Sequence, residues 1–98
     1  MVISKEEILE KLKSMKKMLK SEYKVDSIGL FGSYVSDSQT AASDIDFLVE
    51  FDKDADLIHL IALSRYLEEK LNAKVDVISK PSLKEDIKQQ ILNEVIYV

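Results

Sequence analysis

The residues with the clearest chemical potential are two aspartates, Asp44 and Asp46, which only Ile45 separates. They lie in a segment, 44–51, whose other residues are mostly apolar and typical of a buried strand. Side chains two residues apart on a strand project from the same face, so both carboxylates point to one side and Ile45 to the core. Because neighbouring carboxylates repel each other and burial disfavours their charge, the pair predicts a hard divalent cation such as Mg²⁺.

A Gly-Ser pair precedes these aspartates. Gly32 and Ser33 follow a predicted strand, 25–31, and ten residues separate Ser33 from Asp44. A glycine at a strand end lets the backbone approach a ligand, and N–H groups at a following helix start attract phosphate. Alone, a Gly-Ser pair is more often just a turn, so its significance depends on the aspartates that follow.

A third aspartate, Asp76, lies between apolar residues of a third predicted strand, 74–79. It could simply face water from an edge strand. Its functional interpretation is a third ligand to the same cations, or a base that deprotonates an attacking hydroxyl.

The segments around these residues predict alternating helices and strands, and therefore a sheet covered by helices. A capping box from Ser4 to Glu7 opens a first helix. Asp54 can cap a second helix, and a second capping box, Ser82 to Glu85, predicts a last helix that begins at Pro81. Residues 95–98 are β-prone and predict an edge strand.

Length, composition and charge limit the function classes. With 98 residues, we expect a single domain, 1–98, and the absence of cysteine rules out disulfides and thiolate metal sites. No apolar run is long enough to span a membrane and no signal peptide is visible, so we expect a cytoplasmic protein. The net charge of −4 is concentrated in residues 25–56, where eight acids face one lysine. Such a chain is a poor general binder of nucleic acid.

The order of these features resembles the nucleotidyltransferase superfamily of DNA polymerase β type. The features are Gly32-Ser33, ten residues, Asp44-Ile45-Asp46, and Asp76 on a third strand. Because the chain has almost nothing outside this core, it most resembles the minimal nucleotidyltransferase (MNT) family, over nearly its whole length. The resemblance implies the nucleotidyltransferase fold, an α/β (α+β) fold with a small mixed β-sheet flanked by helices.

The resemblance also implies roles for individual residues. Gly32 and Ser33 would bind the β- and γ-phosphates of ATP, while Asp44 and Asp46 would ligate two Mg²⁺ ions. Asp76 would ligate the catalytic ion and help to activate the acceptor hydroxyl. Many small family members are antitoxins encoded beside a HEPN-domain toxin, and the better understood ones move AMP from ATP onto tyrosines of that toxin. A HEPN-type partner is therefore expected, in a homo- or hetero-oligomer.

One segment departs from the family pattern and keeps alternatives open. Residues 34–37 read Tyr-Val-Ser-Asp where family members commonly carry an Arg- and Gly-containing stretch, and a missing Arg removes a charge-assisted bond to phosphate. The first hypothesis is a Mg²⁺-dependent nucleotidyltransferase that modifies a protein, and the second is an antitoxin that neutralises its partner by binding alone. The third, modification of a small molecule, would need an added acceptor domain.

Overall fold

The computed structural model describes residues 3–40 and 42–98, and these form three helices, four strands and two short 3₁₀ turns. Ala41, which lies between the Gly-Ser pair and the aspartates in the sequence, is outside the described residues. In chain order the elements are α1 (Lys5–Tyr23), β1 (Val25–Phe31), the 3₁₀ turn Gly32–Tyr34, β2 (Ile45–Phe51), α2 (Leu57–Leu71), β3 (Val75–Ser79), the 3₁₀ turn Lys80–Ser82, α3 (Glu85–Glu94) and β4 (Ile96–Tyr97).

The four strands form one mixed sheet in the order β3-β2-β1-β4. β1 runs antiparallel to both β2 and β4, whereas β2 and β3 are parallel and are connected through α2. The C-terminal end of β1 therefore lies beside the N-terminal ends of β2 and β3, at one end of the sheet. This arrangement confirms the predicted α+β fold with a mixed sheet, and it confirms the predicted C-terminal edge strand, which is shorter than 95–98.

The two faces of the sheet are buried to different extents. On one face, β2 contributes Ile45, Phe47 and Val49 to the main core, where they pack against α1 and α2. On the other face, Phe31 and Leu48 pack with Ile91 of α3 in a smaller cluster. Side chains alternate along a strand, so Asp46 and Asp76 lie on this second face, as Leu48 does.

The start of α1 agrees with the sequence, but the start of α2 does not. Ser4 caps α1 and accepts a hydrogen bond from the Glu7 backbone N–H at 3.1 Å. The prediction that Asp54 caps α2 is wrong, because the N-cap is Asp56. Asp56 and His59 form a reciprocal capping box, which explains why the single histidine is a helix-start residue.

The predicted start of the last helix is also wrong. The Ser82 hydroxyl does not cap a helix; it donates a hydrogen bond to the Ser79 carbonyl at 2.7 Å and so stabilises a 3₁₀ turn that contains Pro81. Leu83 is then extended and packs against the smaller cluster, and α3 begins only at Glu85. In the described part of the chain, the helices are too short or too polar to cross a bilayer.

Candidate active site

Asp46 and Asp76 are direct neighbours across the parallel pair of strands. The β2–β3 register aligns Asp46 with Asp76, and the β1–β2 register aligns Asp46 with Phe31. Asp44 lies one residue before β2, which begins at Ile45 rather than at Asp44 as the sequence predicted. The structure therefore brings Asp46 and Asp76 together on the two strands and places Asp44 just before β2.

Asp46 is the carboxylate that its surroundings perturb most. It is half-buried, whereas Asp44 and Asp76 are exposed. Burial first, and then the charges of Asp76, Asp44 and Glu94, raise the pKa of Asp46 from 3.8 to about 6. Burial and nearby like charges both disfavour the ionised form. The site therefore holds negative charge that a bound cation would relieve.

Gly32 makes the close approach of Asp46 to the backbone feasible. It follows β1 with a positive φ of 79°, a conformation that L side chains rarely adopt. A Cβ at this position would overlap the Oδ2 atom of Asp46. The glycine predicted from the sequence as a phosphate-binding residue is thus also required by the carboxylate beside it, and Ser33 follows it in the same 3₁₀ turn.

Glu94 is a site residue that sequence reasoning missed. The Gly32 backbone N–H donates a hydrogen bond to Glu94 Oε1 at 3.3 Å, and this link joins the last residue of α3 to the Gly-Ser turn. A signal was present in the sequence, because Glu94 follows Ile87 and Ile91 at the spacing of one helix face. An acidic residue that continues an apolar stripe points to a charged contact at the end of that helix.

The carboxylate oxygens fit Mg²⁺, although the described side chains do not form a complete set of metal ligands by themselves. Among residues 3–40 and 42–98, no three acidic or histidine side chains are grouped closely enough to hold a metal ion by themselves. Mg²⁺ needs only one or two carboxylates and completes its shell with water and substrate phosphates. The facing pair Asp46 and Asp76, with Asp44 beside it, supplies oxygen ligands of this kind.

A cleft of about 690 Å³ opens beside Asp44, but neither Asp46 nor Asp76 lines it. Asp44 lines it together with Lys11 of α1 and Lys74, the residue before β3. The volume lies in the range of small-molecule sites. The acidic edge of the sheet therefore adjoins a space that also presents positive charge.

Comparison with known proteins gives a consistent result. The nucleotidyltransferase domain family matches residues 12–98. The protein adenylyltransferase MntA of Thermococcus cleftensis is 41% identical over 97 residues, which cover 99% of this chain and 98% of that protein.

Solved structures agree with the sequence match. A toxin–antitoxin complex with AMP-PNP contains a chain with a TM-score of 0.70 and 29% identity, covering 89% of this chain and 70% of that one. A second structure is the tri-AMPylated HEPN toxin of Shewanella oneidensis in complex with its MNT antitoxin. There the TM-score is 0.63 at 27% identity, and the match covers 91% of this chain and 68% of that one.

Proposed function

The chain belongs to the nucleotidyltransferase domain family and is a relative of the protein adenylyltransferase MntA, and on this premise we propose that it transfers AMP from ATP to a tyrosine of a HEPN-type toxin. The observation that carries the proposal is the alignment of Asp46 with Asp76 beside a glycine turn that Asp46 touches. This arrangement supports the proposal because it brings carboxylate oxygens and the backbone of a glycine turn to one point. Use of ATP as the donor agrees with a cytoplasmic location.

Asp44, Asp46 and Asp76 are the proposed ligands of two Mg²⁺ ions, and Gly32 and Ser33 the proposed binders of the β- and γ-phosphates. When bound, Mg²⁺ neutralises the charge of the triphosphate and makes its phosphorus a better electrophile. The raised pKa of Asp46 supports its role, because a bound cation would offset both the burial and the like charges that raise it. Backbone N–H groups at the start of a helical turn are suited to phosphate oxygens, and Gly32 and Ser33 occupy that position.

The reaction is an in-line displacement at the α-phosphorus of ATP. The tyrosine oxygen bonds to this phosphorus while the bond to the bridging β-phosphate oxygen breaks, so that pyrophosphate leaves. The carboxylate of Asp76 accepts the phenolic proton, because Asp76 is exposed at the sheet edge and can meet a hydroxyl presented from outside. A partner protein is a suitable acceptor since its side chain can reach into an open site.

The second candidate function is neutralisation of the partner by binding alone. It is favoured by residues 34–37, which read Tyr-Val-Ser-Asp and contain no arginine for phosphate, and by Asp37, which adds a negative charge. Under this hypothesis the aspartates have no role in neutralisation. The two functions therefore differ in what aspartate variants do.

The test uses the purified chain with a HEPN-type protein that it binds, ATP and Mg²⁺, followed by intact mass spectrometry of that partner. We expect the partner to gain the mass of one or more AMP groups on tyrosine. Asp46→Asn and Asp76→Asn should abolish this gain because each removes a metal ligand. Asp26→Asn, which removes the same charge from an exposed position on β1, should leave the gain unchanged.

The decisive comparison pairs modification with neutralisation of the toxin. If the wild type leaves the partner's mass unchanged yet neutralises it, and Asp46→Asn neutralises it equally well, binding alone is the function. Loss of both modification and neutralisation in Asp46→Asn supports adenylyl transfer, provided that the variant still forms the complex.

A further inference from the structure

The Gly32 backbone N–H has a partner within the protein itself. It donates to the carboxylate of Glu94 at 3.3 Å, across 62 residues of sequence. The same N–H is the donor that the proposed function assigns to a phosphate oxygen. A single N–H proton makes one good hydrogen bond, so the carboxylate and the phosphate compete for it.

Repulsion between the Glu94 carboxylate and a triphosphate strengthens this competition. Glu94 is the last residue of α3, and the C-terminal end of a helix carries partial negative charge. The charge of Glu94 also raises the pKa of Asp46 on β2, in addition to burial and to the charges of Asp76 and Asp44. A triphosphate that approaches the Gly-Ser turn therefore meets a carboxylate of the same sign at the position of its own oxygen.

The backbone around Glu94 is fixed, whereas its side chain can move. Ile91 packs with Phe31 and Leu48, the Val95 N–H closes the helix on the Ile91 carbonyl at 3.0 Å, and β4 pairs with β1 immediately afterwards. The glutamate side chain is only partly buried. Release of the Gly32 N–H thus requires rotation of one side chain and leaves α3 in place.

We propose that Glu94 is a built-in competitor of the nucleotide, whose carboxylate occupies the Gly32 N–H until a triphosphate displaces it. The inference rests on the proposed role of the Gly-Ser turn in phosphate binding. Glu94 takes no part in the chemistry; it lowers the affinity of the resting protein for nucleotide. Such a contact raises the ATP concentration at which half of the protein has nucleotide bound.

The experiment measures the dissociation constant of Mg²⁺–AMP-PNP by calorimetry for the wild type, Glu94→Gln and Glu94→Ala. Loss of the Glu94 carboxylate frees the Gly32 N–H and removes a like charge, and the partial exposure of Glu94 limits the size of the gain. We therefore expect binding to tighten by about three- to tenfold in Glu94→Ala, and by a similar or smaller factor in Glu94→Gln. Glu10→Gln, which removes the same charge from the exposed side of α1, is the matched control and should not alter the affinity.

A second measurement follows the contact itself. The amide proton of Gly32 should shift in NMR spectra of nucleotide-free Glu94→Ala relative to the wild type, and saturating Mg²⁺–AMP-PNP should bring both proteins to the same shift. In the transfer assay, Glu94→Ala should lower KM and leave kcat unchanged, which a merely structural role would not produce.

Different results would overturn different claims. Equal or weaker nucleotide binding by Glu94→Ala, in a protein whose wild type binds, would refute the competition and leave the proposed function standing. An unchanged Gly32 amide shift in Glu94→Ala would refute the contact. Failure of both proteins to bind Mg²⁺–AMP-PNP would overturn the proposed function, and the inference with it.

Discussion

Replacement of Asp46 by Asn should stabilise the metal-free protein above pH 6 even though it removes a proposed metal ligand. The pKa of Asp46 is raised to about 6 in the folded protein, from the ordinary value of 3.8. Between these pH values the folded state binds more protons than the unfolded state, so the free energy of unfolding falls as pH rises. Above about pH 6 the whole penalty is present, and a neutral isostere removes it.

The magnitude follows from the size of this pKa difference. A carboxyl whose pKa rises from 3.8 to about 6 is destabilised by ~3 kcal/mol at neutral pH if none of the effect is screened. Asp46 is half-exposed, and water screens part of the repulsion, which leaves about 1–2 kcal/mol. For a domain of this size, that gain raises the Tm by about 5–10 °C.

Thermal unfolding followed by circular dichroism in EDTA, from pH 3 to pH 8, provides the assay. The gain of Asp46→Asn should be full at pH 7 and vanish near pH 3, where the wild-type carboxyl is protonated in both states. Asp26→Asn is the control for a change of net charge and should show little gain at any pH. Added Mg²⁺ and ATP should then raise the Tm of the wild type more than that of Asp46→Asn.

Two results would refute this reasoning. An Asp46→Asn protein that is no more stable than the wild type at pH 7 would mean that burial and the neighbouring carboxylates do not disfavour the charge of Asp46. A gain that persists unchanged at pH 3 would mean that it arises from packing or hydrogen bonding rather than from ionisation.

Three other substitutions test particular contacts. Gly32→Ala should destabilise the protein by about 2–4 kcal/mol in denaturant unfolding, because it combines a strained positive φ with overlap of Asp46. Made in an Asp46→Ala background, it should cost only about 1 kcal/mol; an equal cost in both backgrounds would argue against the overlap. Asp56→Ala should lower the Tm at pH 7, since hydrogen bonds from the His59 side chain and backbone hold the pKa of Asp56 below its usual value. This stabilisation is lost as pH falls through that lowered pKa, so the wild type and variant should converge in acid. Ile91→Ala should cost about 2–3 kcal/mol and weaken the hold of α3 on the sheet; an unchanged unfolding midpoint would show that the smaller cluster adds little.

The sequence predicted the positions of Asp46, Asp76 and Gly32 in the fold better than it predicted the helix starts. Hydrophobic patterning placed Asp46 and Asp76 on strands, and the glycine before them was identified from its position at a strand end. The sequence alone does not decide where α2 begins, because Asp54 and Asp56 are both good N-caps. Asp56 prevails through the reciprocal bond with His59, and Asp54 instead joins a turn in which its N–H donates to Asp52 at 2.9 Å.

The start of α3 and the role of Glu94 depend on tertiary contacts. Ser82 and Glu85 have the spacing of a capping box, but burial of Leu83 against the smaller cluster requires an extended residue between them. Sequence spacing contains no information about that burial. Likewise, the pairing of Glu94 with Gly32 requires that α3 cross the sheet toward the end of β1, which only the topology establishes.

The structure also explains why the site lies at this edge of the sheet. One strand ends there and two begin, so that a glycine turn, a half-buried carboxylate and a facing carboxylate come together. The glycine lets Asp46 lie against the backbone, and this closeness removes water from a charge that its neighbours already disfavour. The charge of Asp46 is therefore held at a free-energy cost that a bound cation would relieve. Binding energy of this origin requires no arginine, which offers a physical reason why the chain can lack one after Gly32 and Ser33.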